Sequence, residues 1–427
     1  MEERGRDGHR MLTELLAASH LMPVELLPAK TAECAAAAGF DEILIYLADL
    51  QHNVLRLLPG EGPPPPGVPD TLPVGGTVAG RAFQYLDLLP AAPAAEGTPA
   101  WWVPLLDGTE RIGVLHLASA REDTEARADM EALAGLVSLV VVSKRDTSDT
   151  LAGLVRTGPM SVAAEMQWTL MAPRTYADGR VAVSAAMEPA YDISGDAFEY
   201  AVDGPLVHLT VFDAMGHDTA AGLCATLALG ACRNARRQGA GLVATGEAVE
   251  AALVEQYDRQ RYVTGILAVL DTRTGVLEWV NRGHHPPIVI RENRWVTPLP
   301  CAPAHPMGTD LGLPSTVCRE QLQPGDRLVL HTDGITEARR RGGPEFGLER
   351  FVDFLLRHHA DGLPVPETLR RLVNAVLDHH EGHLQDDATV LLCEWLGPHL
   401  EPVARAAAAV GVSAPGPRGG EGRPTPA

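Results

Sequence analysis

Four short stretches of this chain place a carboxylate where an apolar run meets a turn. "RLVLHTDGITEA" (327–338) sets Asp333 just after Leu328, Val329 and Leu330, and "LVHLTVFD" (206–213) ends on Asp213. Asp196 follows Gly195 in "YDISGDAFEY", and Asp386 and Asp387 immediately precede "ATVLLCEW". Singly, such an aspartate is a turn former or a helix cap. Together, carboxylates at the ends of neighbouring core strands repel one another unless a cation lies among them. The donor set is all oxygen, with no Cys and no required His, and suits Mg²⁺ or Mn²⁺ rather than Zn²⁺. Two such ions sharing a bridging carboxylate would activate a water and clamp a phosphoryl group.

Other polar clusters point to structure rather than chemistry. His379 and His383 in "DHHEGHLQDD" (378–387) have i,i+4 spacing and read as a solvated helix end. "GHHPP" (283–287) reads as a turn that Asn281 closes by hydrogen bonds. The six cysteines (Cys34, Cys224, Cys232, Cys301, Cys318 and Cys393) are scattered, with no CxxC pair. They are expected as reduced thiols of a cytoplasmic protein.

The elements that must position these groups fall into several units, since 427 residues suffice for two or three domains. A net charge of −20 excludes a nucleic-acid partner, which needs basic patches. "LAGLVSLVVV" (133–142) is the most apolar run and is too short to span a membrane, so no membrane partner is expected. The charged start "MEERGRDGHR" is followed by no signal-peptide pattern.

Residues 1–25 form an N-terminal segment with a short helix. Residues 26–146 alternate helix and strand patterns, interrupted by the proline-rich "EGPPPPGVPD" (61–70). Residues 147–172 keep helical periodicity and read as a helical linker. From 173 to 397 strand runs dominate, with helices expected over 218–238, 245–261, 347–359 and 365–381, an α+β pattern rather than alternating βαβ units. The Pro/Gly-rich end places 398–427 as a disordered tail.

Five motifs, "PAYDISGDAFEY", "VFDAMGHDTAAGLCA", "VNRGHHPPIVI", "LQPGDRLVLHTDGITEA" and "DDATVLL", occur in the order found in metal-dependent bacterial phosphatases. The region resembles the SpoIIE-like branch of the protein phosphatase 2C (PPM) family over about 175–396. The resemblance implies an antiparallel β-sandwich flanked by helices, two Mn²⁺ or Mg²⁺ ions, and hydrolysis of phosphoserine or phosphothreonine on proteins by a metal-activated water. By the same resemblance Asp213 bridges both ions and the backbone carbonyl of Ala214 ligates one. Asp196 serves the second ion, and Asp333 and Asp386 the first, with Asp387 the lesser ligand of its pair. Two departures stand out. Asp218 replaces the usual Gly after His217, where it suits a helix N-terminus. Met215 occupies the position of the eukaryotic relatives' acid histidine, so no general acid is assigned, and His217 is the nearby alternative.

Residues 26–146, with "LPVGGTVAGRAF" and the hairpin "WWVPLLDGTERIGVLHLA", resemble a GAF-type sensory domain. The combined resemblance implies a sensor-regulated phosphatase whose protein substrate is an anti-sigma-factor antagonist of the STAS type. A homodimer through the linker helix is a further expectation. The alternative is a catalytically silent scaffold that binds a small ligand and a partner protein.

Overall fold

The computed structural model describes every residue except 1, 63–65, 95–96, 193, 217, 293–294, 339–344, 361–362, 380–385, 400–402 and 413–427. The N-terminal unit begins with α1 (Glu2–Ser19) and α2 (Leu27–Ala36), followed by β1 (Asp41–Ala48), β2 (Val54–Leu57) and β3 (Thr71–Pro73). Then come α3 (Val78–Tyr85), β4 (Leu89–Pro90), β5 (Ala100–Asp107), β6 (Glu110–Ala118) and α4 (Thr124–Arg145). The strands make one antiparallel sheet of order β3-β2-β1-β6-β5-β4. Its two faces differ. Leu15, Leu27, Met130, Leu133 and Val137 from α1, α2 and α4 bury one, and Ala79, Ala82 and Phe83 of α3 cover the other.

The expected single linker helix is two short ones, α5 (Asp149–Leu154) and α6 (Val162–Leu170). Gly158 and Pro159 lie in the break between them, where proline removes an N–H and disfavours the helical conformation of the residue before it. The apolar face expected for dimer contact belongs to the N-terminal core instead. Leu133 and Val140 of α4 are buried within the protomer, while Leu139 is exposed.

The remaining strands are β7 (Thr175–Ala177), β8 (Val181–Glu188), β9 (Asp196–Asp203), β10 (Leu206–Ala214), β11 (Val263–Asp271), β12 (Val276–Arg282), β13 (Ile288–Arg291), β14 (Trp295–Pro298), β15 (Cys318–Gln321), β16 (Arg327–His331) and β17 (Ala388–Trp395). They form two antiparallel sheets, β15-β12-β11-β10-β9 and β14-β13-β16-β17-β8-β7. Side chains such as Val183, Phe198, Val211, Ile266 and Leu391 fill the space between the sheets. Helices α7 (Thr219–Arg237) and α8 (Leu242–Tyr257) cover the first sheet. Helices α10 (Leu348–Ala360) and α11 (Val365–His379) cover the second, and one-turn α9 (Asp333–Thr336) follows β16. Burial on both faces explains why β17 reads as an unbroken apolar run, with every residue buried.

Two expectations need correction. The tail contains a helix, α12 (Val403–Val410), whose alanine-rich sequence favours helix and whose Ala407 and Val410 are buried. The Arg111 side chain donates to the Val410 carbonyl at 3.1 Å. The Pro/Gly-rich end expected to be disordered lies, over 413–427, outside the described residues. Cys301 and Cys318 form a disulfide rather than two thiols, because the chain after β14 folds back to the start of β15. Cys34, Cys224, Cys232 and Cys393 are free and buried.

The N-terminal unit meets the sandwich through polar groups. The Gln51 amide donates to both Glu188 oxygens (3.2 and 3.0 Å), and Gln84 donates to Glu367 at 3.1 Å. The Thr175 N–H donates to Glu110, and Arg371 donates to the Tyr85 hydroxyl.

Candidate metal centre

Strand register brings the first two aspartates together. Asp196 opens β9 directly opposite Asp213 near the end of β10. The second sheet supplies the others: Asp333 begins α9, just beyond β16, and Asp386 and Asp387 lead into β17, the neighbour of β16. All five carboxylates therefore lie at one end of the sandwich, as the sequence suggested. Asp333 stands in a helical turn rather than at the strand end itself, and β9 is a strand that the sequence pattern did not reveal.

Thr332 ties the two sheets together. Its hydroxyl donates to Asp196 Oδ2 at 2.7 Å and accepts from the Thr389 N–H at 2.9 Å. The Thr332 N–H donates in turn to the Thr389 carbonyl at 3.0 Å. The glycines beside the carboxylates are explained by close approach. A Cβ on Gly334 would stand 1.9 Å from the Asp387 carbonyl oxygen. One on Gly195 would meet the carbonyl oxygens of Gly216 at 2.6 Å and Ala214 at 2.9 Å, and Asp387 Oδ2 at 3.3 Å. The Gly195 N–H donates to Asp387 Oδ2, and its carbonyl accepts from the Ala214 N–H at 2.9 Å.

Thr264 and His284 lie behind Asp213. Thr264 Oγ1 lies 3.4 Å from Asp213 Oδ2 and 2.8 Å from His284 Nδ1. His284 Nε2 is 3.0 Å from the His331 carbonyl, which can only accept, so Nε2 carries the proton and Nδ1 accepts from the threonine. Burial pushes the His284 pKa down to about 3, keeping the ring neutral. Asn281 closes the turn as expected: its amide donates to the His284 carbonyl and its oxygen accepts the His284 N–H, both at 2.8 Å.

The carboxylates are electrostatically strained. Burial, then repulsion from Asp213 and Asp387, pushes the Asp196 pKa well above the ordinary range. Burial, then Asp333, Asp386 and Asp387, raises Asp213 to about 7. Asp333 is raised by burial and then by Asp386 and Glu337. Asp386 is exposed, whereas Asp387 is buried. Excess negative charge beside the close-packed carbonyls of Ala214 and Gly216 is the environment a hard cation relieves. The donor chemistry therefore fits Mg²⁺ or Mn²⁺. Among the described residues, no group of three or more His, Cys, Asp or Glu side chains stands in ligating array.

Asp218 caps α7, accepting from the Ala221 N–H at 2.8 Å, and also takes both terminal nitrogens of Arg261 (3.0 and 2.9 Å). Arg261 donates further to the Met215 carbonyl at 3.1 Å, bracing the chain between Asp213 and α7. His217 and His383 lie outside the described residues. His379 ends α11, its ring edge-on to Phe346 at 5.8 Å. Sequence reading missed Thr332, Thr264, Arg261 and Gln167. Thr332 carried the one available signal, immediately preceding Asp333.

Residues 203–396 match the model of the family described as Stage II sporulation protein E (SpoIIE). That stretch contains Asp213, Ala214, Asp333, Asp386 and Asp387, and begins after Asp196. Phosphoserine phosphatase RsbU of Bacillus subtilis (strain 168) is 22% identical over 240 residues, 55% of this chain and 69% of RsbU. Protein IcfG of Synechocystis sp. is 25% identical over 142 residues, covering 32% of this chain but only 21% of IcfG. The structure of the RsbU and RsbW domains of Rv1364c from Mycobacterium tuberculosis shares 23% identity with a TM-score of 0.46, over 52% of this chain and 63% of that one. Among the described residues, no helix is long and apolar enough to cross a membrane.

Proposed function

We propose, for a chain whose residues 203–396 match the SpoIIE family model, that it is a metal-dependent protein serine/threonine phosphatase of the protein phosphatase 2C superfamily. Its substrate on this reading is a phosphorylated anti-sigma-factor antagonist of the STAS type, in a cytoplasmic pathway that controls transcription. The observation that carries the reading is the Asp196–Asp213 pair, faced by Asp333, Asp386 and Asp387 from the second sheet. The likeness to a relative named as a phosphoserine phosphatase supports it.

Asp196, Asp213, Asp333, Asp386 and the Ala214 carbonyl would hold two Mn²⁺ or Mg²⁺ ions. When bound, the ions supply a nucleophilic water and neutralise phosphoryl charge. The protein's own work is positional. Thr332 fixes Asp196 by donating to its carboxylate, and His284 holds the Thr264 hydroxyl in place beside Asp213. Asp387 holds the Gly195 N–H, and with it the turn that carries Asp196. Such supporting contacts orient ligands and tune their affinity. Residues 26–146 serve as the GAF-like sensor, a reading supported by the six-stranded antiparallel sheet with helices on both faces.

The test incubates the full chain with a phosphoserine-bearing STAS-type protein, with and without Mn²⁺, and follows phosphate release. Metal-dependent release that Asp213→Asn abolishes is expected; release unaffected by chelation overturns the reading. The alternative is a catalytically silent scaffold that binds a small ligand and a partner protein. It predicts no Mn²⁺ binding by calorimetry and no hydrolysis.

A further inference from the structure

The N-terminal unit and the sandwich do not meet flush. Between them lies a small cleft, partly open to solvent, lined by Gln51, Arg174, Thr175, Ser184, Glu188 and Arg370. Thr175 and Ser184 are directly opposed on β7 and β8, so their side chains share one face of the sheet. Both residues are buried, at 7% and 1% exposure.

Most charged groups here are already engaged. Arg370 donates twice to Glu367, at 2.8 and 2.9 Å. Glu188 accepts from the Gln51 amide and from the Ala190 N–H. Glu110 accepts the Thr175 N–H. Arg174 differs. Its guanidinium stacks over the Trp168 ring at 4.6 Å, on the connecting helix α6. Glu110, Glu188 and Asp49 act on it through space, yet it donates no side-chain hydrogen bond to the described residues. The Thr175 and Ser184 hydroxyls likewise bond to none of them. Three donor groups without acceptors among the described residues thus line one cleft, and donors in such a place find a partner in water or in a ligand.

We propose that this cleft is a second ligand site, taking a small oxyanion, a carboxylate or a phosphate, between the N-terminal unit and the sandwich. A planar guanidinium edge with two hydroxyls matches such a group, and clefts between domains are where small ligands gather. The site is regulatory by position. Glu188, on its wall, is paired with Ala388, the residue after Asp387, while Trp168 neighbours Gln167, whose side chain holds the Asp196 backbone. Occupancy would bear on the metal centre from two directions. The proposal concerns binding and does not depend on the phosphatase reading.

The full chain, stripped of metal on a chelating resin so that anions find no ion at the aspartates, is unfolded thermally. Inorganic phosphate or succinate is added at constant ionic strength, with chloride as reference. A saturable rise in Tm of roughly 2–4 °C is expected. It should be lost in Arg174→Gln and weakened in Ser184→Ala, which separates binding from general salting. A rise with phosphate alone assigns a phosphoryl ligand, and with succinate alone a carboxylate; a rise with both supports the shared chemistry. No rise with either anion, or an undiminished rise in both variants, overturns the proposal. Should Arg174→Gln fail to fold, Ser184→Ala and Thr175→Val, which each remove only a hydroxyl function, decide it alone.

Discussion

Gln167 of the connecting helix α6 holds Asp196 by its backbone: the side-chain amide donates to the Asp196 carbonyl at 2.6 Å and to the Ser194 carbonyl at 2.9 Å. Gln167 is buried, and α6 joins the N-terminal unit to the sandwich. A displacement of the connector therefore reaches Asp196, a proposed metal ligand, through one side chain.

Gln167→Ala leaves two buried carbonyls without their donor, at a cost of about 1–3 kcal/mol. Part of that cost should appear as weaker Mn²⁺ binding, roughly 5- to 30-fold by calorimetry. A shorter chain beginning near Met160 should likewise differ from the full chain in its Mn²⁺ titration. Unchanged Mn²⁺ affinity in both would show that the connector is only a tether.

Asp213→Asn should lose nearly all activity and yet stabilise the metal-free fold at neutral pH. Burial and its acidic neighbours hold the Asp213 pKa at about 7 against an ordinary 3.8, so the fold keeps a proton that the unfolded chain has released. Stability of the metal-free protein then falls as pH rises from about 4 to about 7 and levels off above. The variant should show a shallower fall in a Tm series over that range. Parallel curves for the two proteins would contradict the assignment.

Asp386 and Asp387 should separate by what they damage. Asp386 is exposed, so Asp386→Asn should remove activity with Tm little changed. Asp387 is buried and accepts the Gly195 N–H, so Asp387→Asn should lower Tm while costing less activity than Asp386→Asn. Equal activity losses would make both carboxylates ligands.

Removing everything after Pro398 should destabilise the protein, because it takes away α12 and leaves Arg111 without the Val410 carbonyl. Ending the chain after Val412 should leave Tm unchanged, since the residues beyond lack an apolar face. Thermal unfolding of both truncations checks this; equal Tm values would mean that α12 contributes nothing.

The clustering of these carboxylates could be read from the sequence because they punctuate apolar runs. Asp213 and Asp333 follow strands that are legible by their unbroken hydrophobicity, and β8 and β17 match the sequence pattern to the residue. Strand β9 was not legible, since "DAFEYAVD" alternates weakly and its first residue resembles a turn. Thr332 and Thr264 were hidden because a threonine's role depends on what faces it across a sheet. The Cys301–Cys318 pairing was hidden for the same reason, being made by tertiary return of the chain. The α12 helix was obscured by the Pro/Gly-rich sequence that follows it.

The joint between the N-terminal unit and the sandwich is built from amides, carboxylates and guanidinium groups: Gln51 on Glu188, Gln84 on Glu367, Arg371 on Tyr85. Water can take over every one of those bonds. Prising the two units apart uncovers these polar groups, which hydrate readily, together with apolar side chains such as Met187, Leu369 and Val373 beside them.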